Sequence, residues 1–280
     1  MIDTTATVRG VTIGAGTSYR WTRWPDGLLG TADIRAVDLP FPRRDGVIPA
    51  DDFVGSRRVA FEVVVLGSSR ADAEAKIVSL AAAFAASADD EWLDVRIAGN
   101  PSEYSLRGRC RGADVAMSSR FVGGVAEARC VFVATDPVRY AQSESSLLLT
   151  LAAAGAGLTF PASFPVVFGG GGGAGSGVAV NAGTAEVDWT ATFTGPLTNP
   201  RLALDGSGRS IRILATLAAG ETVVGDSATS SILFGGTSPR PSWFAPGSRW
   251  FRLAPGANGL TFTADSGNGT VSITWRSGWS

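Results

Sequence analysis

The stretch from Arg58 to Ile97 limits what this chain can fold into more than any other. It reads strand, helix, strand. Phe61, Val63 and Val65 alternate with Ala60, Glu62 and Val64, the period of two that marks a half-buried strand. Gly67 ends that strand. Ser69 followed by Asp72 has the form of a capping box, with a hydroxyl for an orphan backbone N–H and an acid at the positive end of a helix. Ala73, Ile77, Leu80, Ala81 and Phe84 then recur at the spacing of one apolar helical stripe. This predicts a helix over about residues 69–88, closed by Asp89 and Asp90. Leu93, Val95 and Ile97 alternate with Asp94 and Arg96 as a second strand. No other segment carries a comparable helical pattern, so the expectation is a single helix packed on one face of a sheet in an otherwise β chain.

Composition narrows the chemistry. At 280 residues, two domains are expected rather than one. The formal net charge is -1, so no general field attracts polyanions, and Lys76 is the only lysine among 24 basic residues. There is no histidine, which removes Ser-His-Asp and Cys-His catalysis and the commonest metal ligand. The two cysteines, Cys110 and Cys130, are too few for a disulfide scaffold. They flank a hairpin tip near Ser119 and Arg120 and are read as buried thiols, with a cross-strand pairing as the alternative. The start, MIDTTATVRG, lacks a basic segment followed by an apolar run, so no signal peptide is expected. The most apolar stretch, Leu147 to Phe160, is too short and Gly-rich to span a bilayer.

Along the chain, Val8 to Ile13 reads as a strand, Trp24-Pro25-Asp26-Gly27 as a turn, and Ile34 to Leu39 as a short strand. The Pro42-Arg43-Arg44-Asp45-Gly46 segment reads as a charged turn or exposed loop. Trp21 and Trp24 are expected as core or interface anchors. Tyr104 to Met117 and Phe121 to Thr135 read as a long hairpin, stopped by Asp136-Pro137 because Pro cannot donate to the ladder. The first domain is placed at residues 1–141, an extended connector at 142–163, and the second domain at 164–280. Gly170, Gly172 and Gly175 formally satisfy GxGxxG within the glycine run. The next segment is β-like, however, so no helix N-terminus waits for a phosphate and the run is read as a hairpin loop. Beyond it, strands are expected around Val187 to Thr194, Leu202 to Leu204, Ser210 to Leu214, Glu221 to Val224, Ser231 to Phe234, Arg249 to Leu253, Leu260 to Thr263 and Val271 to Trp275. Turns such as Asp205-Gly206, Pro255-Gly256 and Asn268-Gly269 punctuate them. This is the pattern of an antiparallel sandwich or jelly roll.

Little in the chain points to chemistry. Asp51-Asp52 and Asp89-Asp90-Glu91 are carboxylate clusters, but adjacent acids in turns are ordinarily solvated, and a glycosidase needs two carboxyls flanking a cleft. No Gly-x-Ser-x-Gly elbow and no metal-ligand spacing appears. Trp243, Phe244, Trp250, Phe251, Trp275 and Trp279 crowd the C-terminal part, where strand packing is the expected use and a sugar platform the alternative.

The ordered series of motifs resembles the distal tail proteins of long-tailed bacteriophages, the siphovirus tail-tip hub. In the first half it rests on Gly55-Ser56-Arg57-Arg58 leading into Val59 to Leu66, the capped helix, Trp92 to Ile97, and the hairpin closed by Asp136-Pro137-Val138-Arg139-Tyr140. The join Leu158 to Pro165 is similar to the family's interdomain crossing. In the second half it rests on Asn181-Ala182-Gly183-Thr184-Ala185, Phe193 to Pro200, Ala219-Gly220-Glu221-Thr222, Phe251 to Gly259 and Ile273-Thr274-Trp275-Arg276. The chain departs from the pattern in its glycine run and its Arg- and Trp-rich start.

The resemblance implies a mainly β fold of two antiparallel sandwich domains, the first with one packed helix and the second galectin-like or jelly-roll-like. It implies a structural virion protein of the tail tip, not an enzyme. Six copies are expected to form a hub ring, a homo-hexamer built through the N-terminal domain. That ring joins the tail tube protein to a tail-tip hub or tail-associated lysin protein and lets DNA through its centre. The tape measure and receptor-binding proteins are further candidate partners. The expected location is the virion tail tip, after assembly in the host cytoplasm. No cofactor, metal, catalytic residue, sequence-specific nucleic-acid binding or membrane insertion is implied, and the ring-contact residues are unassigned. A near-neutral chain with one lysine suits a channel that DNA must pass without sticking. The alternative function is a carbohydrate-binding tail-tip adhesin acting through the C-terminal sandwich. A tail-associated hydrolase is a third class and would need two convergent carboxylates.

Overall fold

The computed structural model describes residues 4–30, 32–97, 103–151 and 174–280. The chain divides into two compact units, residues 1–142 with Ser280, and residues 143–279. Its described residues are mainly β with a single α-helix.

In the first unit, β1 (Thr5–Val8) and β2 (Val11–Gly14) form a tight hairpin. The expected single strand Val8 to Ile13 is broken because Arg9 and Gly10 both take left-handed φ values, 44° and 76°, as a two-residue hairpin turn demands. β3 (Tyr19–Trp21) comes next. Four short segments succeed it: β4 (Ile34–Arg35), β5 (Leu39–Pro40), β6 (Val47–Ile48) and β7 (Phe53–Val54). The long strand β8 (Arg57–Leu66) leads to the helix α1 (Arg70–Ala83), then β9 (Glu91–Arg96), β10 (Tyr104–Ala116) and β11 (Val125–Ala141). The antiparallel order is β2–β1–β9–β10–β11–β8–β3. Because β2 and β3 are joined by a few residues and pack together, this sandwich is one sheet curled over on itself. The helix fills the space so enclosed.

The helix begins as expected: the Ser69 side chain accepts from the Asp72 amide at 3.2 Å. Ala73, Ile77, Leu80 and Ala83 face the core with Phe84, against Phe61, Val63, Leu93, Leu106 and Phe132. It ends about a turn sooner than the sequence pattern suggests. Phe84 leaves helical geometry (φ -97°, ψ 7°) because its ring is drawn fully into the core, and its carbonyl is taken by the Gly112 amide. Gly67 has to be glycine, since a Cβ there would sit 2.5 Å from the Ala73 nitrogen.

β11 does not stop at Asp136-Pro137. It runs on to Ala141, and the register with β10 jumps between the Leu106–Arg139 and Gly108–Ala134 pairs. Pro137 sits in that bulge, where the ladder asks for no amide, and beyond Ala134, where pairing with β8 ends. A second register shift lies between Cys110 and Ala113.

In the second unit β12 (Ser145–Thr150) is an edge strand of one sheet, of order β12–β24–β14–β19–β20–β21. Its other members are β14 (Trp189–Thr194), β19 (Thr222–Asp226), β20 (Ser231–Phe234), β21 (Ser238–Pro239) and β24 (Thr270–Trp275). The facing sheet is β13–β22–β16–β17: β13 (Gly175–Asn181), β16 (Arg201–Leu204), β17 (Arg209–Arg212) and β22 (Gly256–Thr263). A small sheet of β15 (Leu197–Thr198), β18 (Thr216–Leu217) and β23 (Ser266–Gly267) adjoins them. Phe193 of the first sheet meets Phe262 of the second at 6.0 Å between centroids, and Trp275 Nε1 donates across to the Val180 carbonyl at 3.1 Å. The segment Arg249 to Leu253, expected as a strand, is extended but makes only one ladder bridge, Val187 to Leu253. Its side chains hold it instead: Phe251 lies 4.8 Å from Trp189, whose Nε1 donates to the Phe251 carbonyl at 2.9 Å. The core of the glycine run, Gly169 to Gly173, and the join Leu158 to Pro165 lie outside the described residues. Gly175 opens a strand, not a helix.

Candidate functional site: an apolar assembly surface

The first unit carries a hairpin arm, residues 34–54. Ile34 and Arg35 pair with Val54 and Phe53, and Leu39 and Pro40 pair with Ile48 and Val47. Gly46, at φ +103°, allows the tip to turn, and the Arg44 guanidinium lies 3.7 Å over the Phe41 ring. At the base, the Gly55 amide donates to the Asp33 carbonyl at 2.6 Å. A strand near Ile34 and a charged turn at Pro42 to Gly46 are legible in the sequence. The return side of the arm is not, because two-residue rungs such as Val47-Ile48 are too short to show a period.

The arm is built of the wrong residues for a free hairpin. Ile34, Val37, Leu39, Val47, Ile48, Phe53 and Val54 are all exposed. A two-stranded ribbon is marginal alone, and soluble chains rarely leave contiguous apolar surface open. This exposed apolar surface is the candidate site of the first unit.

The carboxylate clusters do not converge. Asp51 and Asp52 lie exposed on the arm. Asp90 accepts from Arg109 at 2.9 Å and lies 3.5 Å from Arg107, and these bonds, Arg109's first, hold its carboxyl below the usual range. Glu91 pairs with Arg9. Asp90 and Glu91 are thus neutralised locally rather than poised over a cleft. Among the described residues no group of three metal-ligating side chains exists, and no helix is long and apolar enough to cross a membrane.

Cys110 and Cys130 are free and buried. They do not face each other: Cys110 opposes Phe132 and Cys130 opposes Ala113, because the register shift falls between them. Burial pushes the thiols up to about 11 and about 12. Trp21 stacks edge-on against Trp24 at 6.0 Å and packs on the core beside Phe61, while Trp24 stays exposed. In the second unit Trp189, Phe251 and Trp275 are buried, and Phe244 stacks on Trp250 at 5.4 Å. These rings chiefly pack on one another.

Known proteins share both the domain and the fold. Residues 182–279 match the family model of the siphovirus-type tail component, C-terminal domain. No curated protein matches the chain. Among solved structures, the Dit (gp 19.1) protein of phage SPP1, described as a paradigm of the hub adsorption apparatus in phages infecting Gram-positive hosts, is similar with a TM-score of 0.64 and 16% identity over 97% of this chain and 98% of that one. A chain of the phage P2 baseplate in its activated conformation with Ca aligns with a TM-score of 0.56 and 10% identity, over 98% of each chain. A strontium form of the activated p2 baseplate gives 0.55 and 10%, over 97% and 98%. Residues 182–279 are thus similar to the C-terminal domain of the siphovirus-type tail components, and the chain as a whole shares the fold of the SPP1 Dit protein.

Proposed function

We propose that this chain is a structural hub protein of a phage tail tip. Copies close into a hexameric ring through residues 1–141, join the tail tube protein to the tail-tip proteins, and leave a central passage for DNA. The C-terminal sandwich, which takes in β12 at residues 145–150, is the accessory domain to which receptor-binding proteins attach. The observation that carries this reading is the arm at residues 34–54, whose seven exposed apolar side chains have no place in a monomer. A cyclic assembly needs such a heterologous contact, one patch meeting a different patch on the next copy. The near-zero net charge fits a passage that does not hold phosphate.

Light scattering on a sizing column, with negative-stain images of the peak, tests this. A closed ring is expected for the full chain, and the double substitution Ile48→Ser with Phe53→Ser is expected to give a folded monomer. A chain that stays monomeric alone and in the presence of tail tube protein overturns the ring.

A further inference from the structure

Beneath the arm lies a pocket of about 440 Å³, walled by Leu29, Ile34, Val54, Pro137 and Val138 and carrying Arg57 and Arg139. Arg57 is only 4% exposed. One of its terminal nitrogens donates to the Gly27 and Gly30 carbonyls, yet its Nε has no hydrogen-bond partner. Arg139 donates through Nη2 at 3.1 Å to a main-chain oxygen of Ser280, which also lines the pocket, and its Nε too is buried without a partner. Two guanidiniums in one apolar pocket repel each other: Arg57 is pushed below its ordinary range first by burial and then by the Arg139 charge. Tyr104, below them, gives its hydroxyl to the Leu28 carbonyl and offers no negative charge, burial holding it up at about 12. A buried guanidinium with an open N–H is costly, and a carboxylate is the group that satisfies it in planar, paired geometry.

We infer that this pocket receives the acidic segment Asp51-Asp52 from the arm of a second copy, its carboxylates meeting Arg57 and Arg139 and its flanking Ile48 and Phe53 covering the apolar wall. The inference rests on the ring reading and names the contact that closes it. Three observations select this occupant. The arm is an exposed apolar element, and it bears two adjacent acids between apolar residues, as the pocket bears two basic groups between apolar walls. Asp51 and Asp52 are both exposed, so their carboxylates are open to another copy. The pocket also adjoins the arm's own base, Ile34 and Val54, so one copy's docked arm continues into the next copy's arm and the contact propagates head to tail.

The test combines charge reversal with a direct probe. Mass is measured for the wild type, Arg139→Glu, Asp51→Arg with Asp52→Arg, and all three changes together, each checked for fold by circular dichroism. Arg139→Gln stands in should the glutamate variant fail to fold. For any preparation that is monomeric, fluorescence anisotropy tracks a labelled peptide of residues 46–54, and the same peptide carrying Asp51→Asn and Asp52→Asn is the control. In an assembling wild type, the single reversals are expected to raise the dissociation constant at least tenfold and the combination to restore it. In a monomeric wild type, the acidic peptide is expected to bind at least tenfold more tightly than the control, which keeps the pocket while the free-standing ring fails. Full assembly of the Arg139 variants, no rescue by the combination, or equal binding of the two peptides overturns the inference and leaves the ring reading to its own test.

Discussion

The Gly112 amide donates to the Phe84 carbonyl at 2.9 Å. This bond ties the last residue of the helix stripe to the irregular stretch of β10, between the Cys110–Phe132 and Ala113–Cys130 pairs. Gly112 reaches that carbonyl at φ +110°, a conformation side chains rarely adopt. Phe84 itself is fully buried, edge-on to Phe61 at 6.1 Å. The helix end and the bend of the sheet are therefore one feature held from both sides.

Phe84→Ala is expected to cost about 3–5 kcal/mol, the range for removing a fully buried aromatic ring. Gly112→Ala has open space around the added methyl but meets the backbone strain, and about 1–3 kcal/mol is expected. Urea unfolding monitored by circular dichroism separates the two.

Asn181 and Asn258 organise the second unit from paired strands. Asn181 donates to the Ala185 and Leu253 carbonyls and accepts from the Gly183 and Gly278 amides. Asn258 donates to the Ala179, Ala254 and Gly256 carbonyls and accepts from the Ala254 amide. Replacing either by Leu strands buried carbonyls, so a loss of about 1–3 kcal/mol is expected in the thermal or urea transition of this unit. Gly183→Ala is expected to be at least as harmful, since its Cβ would collide with the Gly278 backbone oxygen.

Asp72 titrates at about 2, lowered first by the Lys76 side chain and then by the Ser68 amide and hydroxyl. A depressed carboxyl contributes stability above its unfolded value of 3.8, and that contribution is lost as the pH falls toward 2. The wild type is expected to weaken across this window. Asp72→Asn, already weaker at neutral pH, is expected to change less there. Denaturation midpoints at about pH 7, 4 and 2.5 check it.

The thiols titrate the other way. Cys110 at about 11 and Cys130 at about 12 stay protonated in the fold while unfolded thiols ionise near 9. Stability is complete below pH 9 and falls as the pH rises toward 11–12. At about pH 8 both are expected to resist iodoacetamide in the native state and react at once in guanidinium, read by mass spectrometry. Rapid native labelling contradicts their burial.

Much of this was legible in local pattern. The capping Ser69, the stripe of Ala73, Ile77, Leu80 and Phe84, and the alternation of β8 and β9 are repeats within a few residues, and a repeat needs no tertiary information to be seen. The Asn181 and Asn258 motifs were legible as family resemblance, but their work as loop organisers was not, because the carbonyls they hold lie up to 79 residues away in sequence.

By itself the sequence determined the β character, the single capped helix, the lack of histidine chemistry and the near-neutral charge, all of which follow from residue types and short spacings. Only the tertiary structure decided that Pro137 sits in a bulge, that the register shift parts Cys110 from Cys130, and that Phe84 ends the helix. It alone placed the apolar arm beside a pocket bearing Arg57 and Arg139. Those outcomes depend on pairing between distant strands, where packing and register, not local propensity, set the geometry.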